Sequence, residues 1–276
     1  MKQLNIAIIG LGNIGSYLYK YLKENKKILT IKNNCSPVVK YVSARNKNKT
    51  RKIKVPKREW LKNYLDATKL KDIDLIVELI GGAEGPAKKL VFAALKNKKN
   101  VVTANKALIA KYGDELSRIA EKNKVNLEFE ASVCGGVPII RSLKEGLIAN
   151  RISKIYGIFN GTSNYILSSM DKQNKSFEEV LSVAKHLGYA ESNPSADLNG
   201  DDVSSKLKIL SSLCFNSFLD DKIYVEGINE IDKIDIDNAN KLGYKIKLLG
   251  YAESLNKKIY QRVHPTLIKK TSYVAS

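Results

Sequence analysis

The apolar run Leu4–Ile9 (LNIAII) leads directly into Gly10-Leu11-Gly12-Asn13-Ile14-Gly15 (GLGNIG), and this stretch decides the fold. The apolar run predicts a buried strand, and the periodic apolar residues after it predict a helix over Asn13–Glu24. Three glycines at this spacing between a strand and a helix are typical of a turn that holds a pyrophosphate on the amides of the helix N-terminus. The sequence therefore predicts a dinucleotide site at the end of the first strand.

Each residue of this glycine turn has an expected part in that site. Gly10 allows the tight turn, Gly12 lets the backbone approach the phosphate, and Gly15 lets the helix pack closely on the strand. Asn13 and Ile14 open the helix whose amides hold the phosphate. The alternative is that the glycines mark a tight turn and nothing more.

Short β-branched runs alternate with longer helical patterns up to about residue 131. This alternation predicts a parallel sheet with crossover helices, that is, an α/β domain with a Rossmann-type doubly wound parallel sheet. We place this dinucleotide-binding domain at residues 1–134. Its predicted strands are Leu4–Ile9, Pro37–Ala44, Asp74–Ile80, Asn100–Ala104 and Val125–Ala131.

The residues after the second predicted strand bear on the choice of cofactor. An acidic residue here would bind the ribose hydroxyls of NAD, but Ser43-Ala44-Arg45 leads into a basic stretch. Arg45 is placed to meet the 2′-phosphate of NADP. NADP is therefore the predicted cofactor, and NAD is the alternative if Arg45 is one more solvated charge in a basic loop.

The strict alternation ends near Gly135, and the pattern becomes that of an α+β domain over residues 135–276. We interpret it as the substrate-binding, catalytic and dimerisation domain. The predicted helices are 137–148, 161–171, 177–187 and 201–215. The predicted strands are 151–159, 222–226, 244–252 and 257–264.

Composition limits the partners and the compartment. The 276 residues include 47 Lys and Arg against 28 Asp and Glu, a net charge of +19, which would attract nucleic acid or an anionic membrane. The lysines are spread over nearly every segment, and the densest stretch, residues 47–57, has no aromatic residue on which bases stack. No apolar run is long enough to span a bilayer, and no leader precedes the first strand. We predict no nucleic-acid and no membrane partner.

Three cysteines, Cys35, Cys134 and Cys214, are odd in number and widely spaced. This pattern argues against a disulfide framework and against a structural zinc site. Reduced thiols predict a cytoplasmic protein.

A set of longer motifs carries a resemblance to a known family. The motifs are Glu78–Gly82, Val101–Lys106, Glu130–Val133 with Gly135–Ile140, Gly157–Leu167, Gly188–Glu191 with Asp197, Gly200, Asp202 and Lys206-Leu207, and Leu242–Gly250 leading to Val263–Ile268. In this order they resemble the homoserine dehydrogenase family from residue 6 to about 268. The resemblance implies an NAD(P)-dependent oxidoreductase that interconverts L-homoserine and L-aspartate 4-semialdehyde, in the biosynthesis of threonine and methionine.

The resemblance also implies roles for individual residues. Lys206 is the implied catalytic acid/base, and Lys106 lies where cofactor and substrate meet. Glu191, Asp197 and Asp202 are the implied substrate-binding residues, and Gly188 joins the cofactor-binding set.

Elementary chemistry agrees with part of this assignment. Asp202 and Lys206 are four residues apart on a predicted helix and so lie on one face, where a carboxylate can orient an amine. An ammonium group can stabilise the alkoxide left by hydride transfer to an aldehyde and supply its proton. The alternative is an ordinary surface ion pair. The loop 188–200 is rich in glycine and acidic residues, which suits a binding turn and favours the functional interpretation.

A monovalent cation such as Na⁺ is also implied by the resemblance. Its ligands are the carboxylate of Glu130 and the backbone carbonyls of Val133, Gly135 and Val137, and hard oxygen ligands suit such a cation. The alternative is a solvated glutamate at a strand end. Cys134 stands where the family usually has Gly or Ala, which is expected to strain this turn.

Several alternatives stay open. The chain stops at Ser276, whereas the family continues into a glycine-rich segment, so a truncated, catalytically impaired homologue or half of a split enzyme is an alternative. A homodimer is expected if the C-terminal tail is supplied. Another Rossmann dehydrogenase acting on an amino acid would not explain Glu191, Asp202 and Lys206 together. A nucleic-acid-binding protein rests on net charge alone.

Overall fold

The computed structural model describes residues 2–215, 223–256 and 258–275. The chain divides into two compact units, Met1–Ile139 and Ile140–Ser276. The boundary predicted between residues 134 and 135 falls a few residues earlier, in the loop before the short helix that begins at Ile139. The assignment of the two domains to cofactor and substrate stays a prediction.

The first unit contains a parallel sheet of β1 (Lys2–Ile9), β2 (Cys35–Ser43), β3 (Leu75–Glu78), β4 (Asn100–Thr103) and β5 (Leu127–Glu128). The described strands lie in the order β2-β1-β3-β4-β5, and each neighbouring pair is parallel. Residues 6–9 of β1 are at most 3% exposed, as expected for a strand that is buried on both faces. The predicted α/β fold class is confirmed.

The strand order reverses between β1 and β3, since β2 lies on one side of β1 and the later strands lie on the other. In doubly wound sheets, ligands bind outside the carboxyl ends of the strands at this switch point. The glycine turn leaves the carboxyl end of β1 at this place.

The helices of the first unit are α1 (Asn13–Glu24), α2 (Lys26–Asn33), α3 (Pro86–Lys96) and α4 (Lys106–Asn123). α1 has the predicted bounds, whereas α2 was not predicted and has no fully buried residue. α4 buries Leu108, Ile109, Leu116 and Ala120, which lie on one face of the helix. Between β2 and β3 the chain forms two 3-10 turns, and Trp60 pairs with Val42 as a parallel bridge.

The second unit contains a mixed sheet of β6 (Lys154–Gly157), β7 (Tyr224–Val225), β8 (Tyr244–Leu255) and β9 (Lys258–Lys269). The order is β6-β8-β9-β7; β7 pairs parallel with β9 and the other pairs are antiparallel. The α+β prediction is confirmed. Lys222 and Lys257, at the ends of two predicted strands, lie outside the described residues.

Helices pack on this sheet around one apolar core. They are α6 (Gly161–Gln173), α7 (Phe177–His186), α8 (Ser195–Leu198), α9 (Asp201–Phe215) and α10 (Lys233–Lys241), preceded by α5 (Ile139–Arg141) and a π-helical turn (Ser142–Gly146). The core includes Ile166, Val203, Leu207, Leu248 and Val263. No helix among the described residues is long and apolar enough to cross a membrane.

Some elements differ from their predicted bounds. The fifth strand, predicted as Val125–Ala131, covers only Leu127–Glu128, because a 3-10 turn begins at Glu130. The helix predicted at 137–148 is one short α-helical segment followed by the π-helical turn. The α10 helix was not predicted.

Candidate cofactor and catalytic sites

The glycine turn has the close contacts that require glycine. A Cβ atom added to Gly10, whose φ is +111°, would lie 2.4 Å from the carbonyl oxygen of Leu79. A Cβ added to Gly15 would lie 1.9 Å from the carbonyl oxygen of Gly10. At Gly12, the N-cap of α1, an added Cβ meets no atom within 4 Å. The turn therefore packs tightly at Gly10 and Gly15 and leaves open space at Gly12.

A cavity of about 370 Å³ lies beside this turn. Its walls come from the carboxyl ends of β1, β3 and β4, which is the switch point of the sheet. The lining residues are Gly12, Asn13, Ile14, Gly15, Glu78, Leu79, Ile80, Gly81, Ala104 and Asn105. Helix-end amides next to open space fit an anionic group such as a pyrophosphate.

A buried carboxylate organises the far wall of this cavity. Glu78 is fully buried, and its Oε1 accepts hydrogen bonds from the backbone N–H groups of Ile80 (2.7 Å) and Gly81 (3.0 Å). Its Oε2 accepts from the hydroxyl of Thr103. Sequence reasoning assigned no function to Glu78, although it stands in the first quoted motif. The carboxylate holds the loop after β3 in a turned conformation.

The same network reaches Asn105, the N-cap of α4. Oγ1 of Thr103 accepts from the backbone N–H of Asn105 at 3.0 Å, and Nδ2 of Asn105 donates to the carbonyl of Gly82 at 2.7 Å. Oδ1 of Asn105 caps α4 by accepting from the N–H of Leu108. Lys106 is the first residue of that helix, so its backbone position is fixed relative to the cavity wall.

The loop after β2 is attached to the glycine turn by Arg51. Its Nε donates to the carbonyl of Leu11 at 3.0 Å. Its other nitrogens donate to carbonyl oxygens within the loop, at Asn46, Lys47 and Lys49. The guanidinium also lies 5.6 Å from the centre of the Trp60 ring. Sequence reasoning missed this role, because Arg51 looks like any other charge in a basic stretch.

Arg45 is exposed at the start of this loop. Gly188, in contrast, lies in the second unit, at the turn after α7, with a φ of +78°. Its N–H donates to the carbonyl of Lys185 at 3.2 Å, as at many helix C-termini. The cofactor roles of both residues stay predictions.

In the second unit, the side chain of Lys206 is held at two points. Nζ donates to Oδ2 of Asp202 at 2.6 Å and to the carbonyl oxygen of Phe159 at 2.7 Å. The Asp202 side chain is 3% exposed and that of Lys206 is 16% exposed. Such an ion pair, removed from water, differs from the ordinary surface pair considered above.

Asn160 joins this pair to a second carboxylate. Its Nδ2 donates to Oδ2 of Asp202 at 2.8 Å and to Oδ1 of Asp197 at 2.7 Å. Asp197, Asp202 and Lys206 are thus in one hydrogen-bonded cluster. Sequence reasoning quoted Asn160 within a motif but gave it no role.

Glu191 is exposed, and among the described residues its carboxylate has no hydrogen bond to this cluster or to any other group. The loop that carries it is attached to α6, because the hydroxyl of Thr162 donates to the carbonyl of Tyr189 at 2.9 Å. The rings of Tyr165 and Tyr189 stack with centroids 4.5 Å apart.

The residues predicted to bind a cation lie in the loop after β5. Glu130 is half-buried at the start of a 3-10 turn, Val133 is buried, and Gly135 and Val137 are exposed. Cys134 has a φ of +48°, a conformation that is strained for a residue with a side chain. The described residues contain no group of three or more His, Cys, Asp or Glu that could hold a metal ion. A site made mostly of carbonyls is not of that type, so it stays a prediction.

Comparison with known proteins gives matches over nearly the whole chain. Residues 138–276 match the family model for homoserine dehydrogenase, and residues 10–130 match that for the homoserine dehydrogenase NAD-binding domain. The chain belongs to the homoserine dehydrogenase family. The resemblance stated from the motifs is therefore confirmed, and the first unit contains a nicotinamide-dinucleotide-binding domain.

Individual homoserine dehydrogenases are similar along the full chain. The enzyme of Neisseria gonorrhoeae is 42% identical over 277 residues, which are 100% of this chain and 63% of that protein. The crystal structure of the Thiobacillus denitrificans enzyme has a TM-score of 0.94 at 42% identity and covers 100% of this chain and 64% of its own. The structure of a Staphylococcus aureus enzyme has a TM-score of 0.87 at 42% identity and covers 100% of this chain and 70% of its own. The chain spans less than two thirds of the length of the curated relatives it matches first.

Proposed function

We propose that this chain catalyses the NADP-dependent interconversion of L-homoserine and L-aspartate 4-semialdehyde, with Lys206 as the acid/base. The observation that carries the proposal is the Lys206 ammonium, held between the carboxylate of Asp202 and the carbonyl of Phe159. Membership of the homoserine dehydrogenase family supplies the substrate class. The alternative of a catalytically impaired homologue is not favoured, because the amine and both of its partners are in place.

The first unit would bind the cofactor. The amides at the start of α1 face a cavity that glycine keeps open, and this fits the pyrophosphate. When bound, the nicotinamide donates or accepts the hydride. Arg45 is proposed to bind the 2′-phosphate of NADP, with Arg51 holding its loop on the glycine turn. NAD is the second candidate.

Lys206 would donate the proton in one direction of the reaction and accept it in the other. An ammonium group has three N–H donors. Two are engaged by Asp202 and Phe159, and the third has no acceptor among the described residues. In the reducing direction, this N–H would donate to the aldehyde oxygen, stabilise the negative charge that develops there and then transfer the proton. In the oxidising direction, the neutral amine would accept the hydroxyl proton of homoserine.

The remaining polar groups would recognise the amino-acid part of the substrate. Both substrates carry an ammonium group, for which Asp197 and Glu191 are the proposed partners. Asp202 is proposed to contact substrate while it orients Lys206. Lys106, at the start of α4, is proposed to act where cofactor and substrate meet.

We also propose a monovalent cation bound by Glu130 and the carbonyls of Val133, Gly135 and Val137. The support is chemical, since one carboxylate and three carbonyls form a hard oxygen set of low charge. Comparing turnover in sodium, potassium and a bulky organic cation, for wild type and Glu130→Ala, tests this assignment. Wild-type turnover that is the same in all three cations would contradict the assignment.

A homodimer, once the C-terminal tail is supplied, and a cytoplasmic location are further proposals. The three cysteines are free thiols, which agrees with a reducing compartment. Sedimentation of the protein extended by the C-terminal segment of its relatives checks the dimer, and cell fractionation checks the location.

The proposed activity is tested with the purified chain, by following the oxidation of NADPH on addition of aspartate semialdehyde. Lys206→Ala should remove turnover while NADPH still binds. Lys208→Ala, which removes an amine two residues further along the same helix, is the matched control and should keep turnover. A folded wild type that binds NADPH but does not turn over would contradict the proposal.

A further inference from the structure

Asn160 has an amide whose orientation is fixed by the backbone. It is the N-cap of α6, and its Oδ1 accepts a hydrogen bond from the N–H of Ser163 at 2.7 Å. A backbone N–H can only donate, so the atom facing Ser163 must be the amide oxygen. The NH₂ group must therefore point the other way, and Asn160 is only 5% exposed.

Both N–H bonds of this NH₂ group meet carboxylates. One donates to Oδ1 of Asp197 at 2.7 Å and the other to Oδ2 of Asp202 at 2.8 Å. Two carboxylates that share one site repel each other, and a shared donor reduces that repulsion and sets their separation. Since an asparagine amide has only two donors, both are used inside the cluster.

The bridge extends to the amine of the proposed reaction. Oδ2 of Asp202 accepts from Asn160 and also from Nζ of Lys206. The carbonyl that makes the second contact with Lys206 belongs to Phe159, the residue immediately before Asn160. Residues 159–160 thus hold Lys206 twice, directly through the backbone carbonyl of Phe159 and indirectly through the Asn160 side chain and Asp202.

We propose that Asn160 is a positioning residue for the dehydrogenase reaction. Its amide holds Asp202 where that carboxylate orients the Lys206 ammonium, and it holds Asp197 at a fixed distance beside the substrate. This inference rests on the proposed function for its catalytic consequence but not for its effect on Lys206 itself. The competing explanation is that Asn160 only caps α6.

Two substitutions separate positioning from capping. Asn160→Ser keeps a hydroxyl that caps a helix well but is too short to bridge two carboxylates. Asn160→Asp keeps the capping oxygen but replaces the NH₂ donor with an oxygen, so that a third carboxylate faces those of Asp197 and Asp202. Ser176→Ala is the matched control, because it removes the N-cap of α7 in the same unit and does not touch the cluster.

The first measurement does not depend on turnover. In protein labelled with ¹⁵N-lysine, the Lys206 ammonium signal is identified by its loss in Lys206→Met, and its hydrogen exchange with water is measured. We expect exchange to be slow in wild type and in Ser176→Ala. In Asn160→Ser and Asn160→Asp it should be faster by about tenfold or more, as when a hydrogen bond to a charged group loosens.

The second measurement is turnover with aspartate semialdehyde. Asn160→Ser should lower kcat by about 10²-fold, as for a misplaced catalytic group, with NADPH affinity near wild type. Its thermal midpoint should also fall, because two hydrogen bonds to carboxylates are lost. Ser176→Ala should lower the thermal midpoint as well but leave kcat unchanged, so a loss of turnover in Asn160→Ser alone indicates positioning.

Unchanged Lys206 exchange in both Asn160 variants would overturn the inference, as would wild-type exchange as fast as that of free lysine. If the exchange results are as expected but wild type shows no turnover, Asn160 still positions Lys206 and the proposed function alone fails.

Discussion

Nζ of Lys206 lies 2.6 Å from Oδ2 of Asp202, one turn earlier on α9, and only 3% of the Asp202 side chain is exposed. Replacing this carboxylate by an amide of the same size leaves the ammonium without its counter-charge. We expect Asp202→Asn to lower kcat by about 10²-fold, within the range for general acid–base catalysis. The free energy of unfolding should fall by about 2 kcal/mol, as for a lost hydrogen bond to a charged group.

Enzyme assays and urea unfolding check both effects. Asp201→Asn is the control, since Asp201 is an exposed acid next to Asp202 on the same helix. Full turnover in Asp202→Asn would show that the carboxylate is not needed to orient Lys206.

Two glycines of the same turn should respond differently to an added methyl group. In Gly15→Ala, the new Cβ would lie 1.9 Å from the carbonyl oxygen of Gly10, so the helix must shift, and we expect at least about 2 kcal/mol of destabilisation. In Gly12→Ala, the methyl enters open space, so stability should be kept. NADPH binding to Gly12→Ala should weaken by about tenfold or more, which corresponds to about 1.4 kcal/mol. Thermal unfolding and fluorescence titration with NADPH separate the two outcomes, and equal stability losses would contradict the packing argument.

Arg45 should decide the preference between NADP and NAD. A charge-assisted hydrogen bond to the 2′-phosphate contributes about 1.5–3 kcal/mol, so Arg45→Ala should weaken NADPH binding by about tenfold or more and leave NADH binding unchanged. Arg118→Ala removes an exposed arginine of α4 and should change neither affinity. Equal losses for both cofactors in Arg45→Ala would show that Arg45 is not a phosphate ligand.

Asp171 should make stability depend on pH in the acid range. Burial alone would raise the pKa of this carboxyl, but hydrogen bonds from Lys245 and Asn240 outweigh it and hold the pKa below its ordinary value. A lowered folded-state pKa means that the unfolded chain binds the proton more readily, so the stabilisation is complete above the ordinary pKa of about 4. It is lost as the pH falls through the lowered pKa.

We therefore expect Asp171→Asn to be less stable than wild type at neutral pH, by about 1–3 kcal/mol for a partly buried hydrogen-bonded pair. The free energies of unfolding of wild type and Asp171→Asn, plotted against pH, should converge as the pH falls below about 4. Urea unfolding at a series of pH values measures this difference. A difference that stays constant down to the lowest pH would show that the charge of Asp171 does not contribute.

The sequence determined those features that depend on neighbouring residues. A strand, a Gly-x-Gly-x-x-Gly turn and a helix follow one another within residues 4–24, so the dinucleotide turn and the bounds of α1 could be predicted. The spacing of four between Asp202 and Lys206 places them on one face of α9 by helix geometry alone. α2 was missed because it is short, is separated from α1 by a single residue and has no capping side-chain hydrogen bond to mark its start.

The tertiary structure alone decided which distant groups meet. The Phe159 carbonyl is 47 residues from the Lys206 amine that it accepts from, and Asn160 is 37 residues from Asp197. Arg51 donates to Leu11 across 40 residues. Such contacts arise where helices and loops are brought together by burial of their apolar faces, and no local spacing encodes them. The sequence thus determined which chemical groups this protein carries, and packing determined which of them share a hydrogen bond.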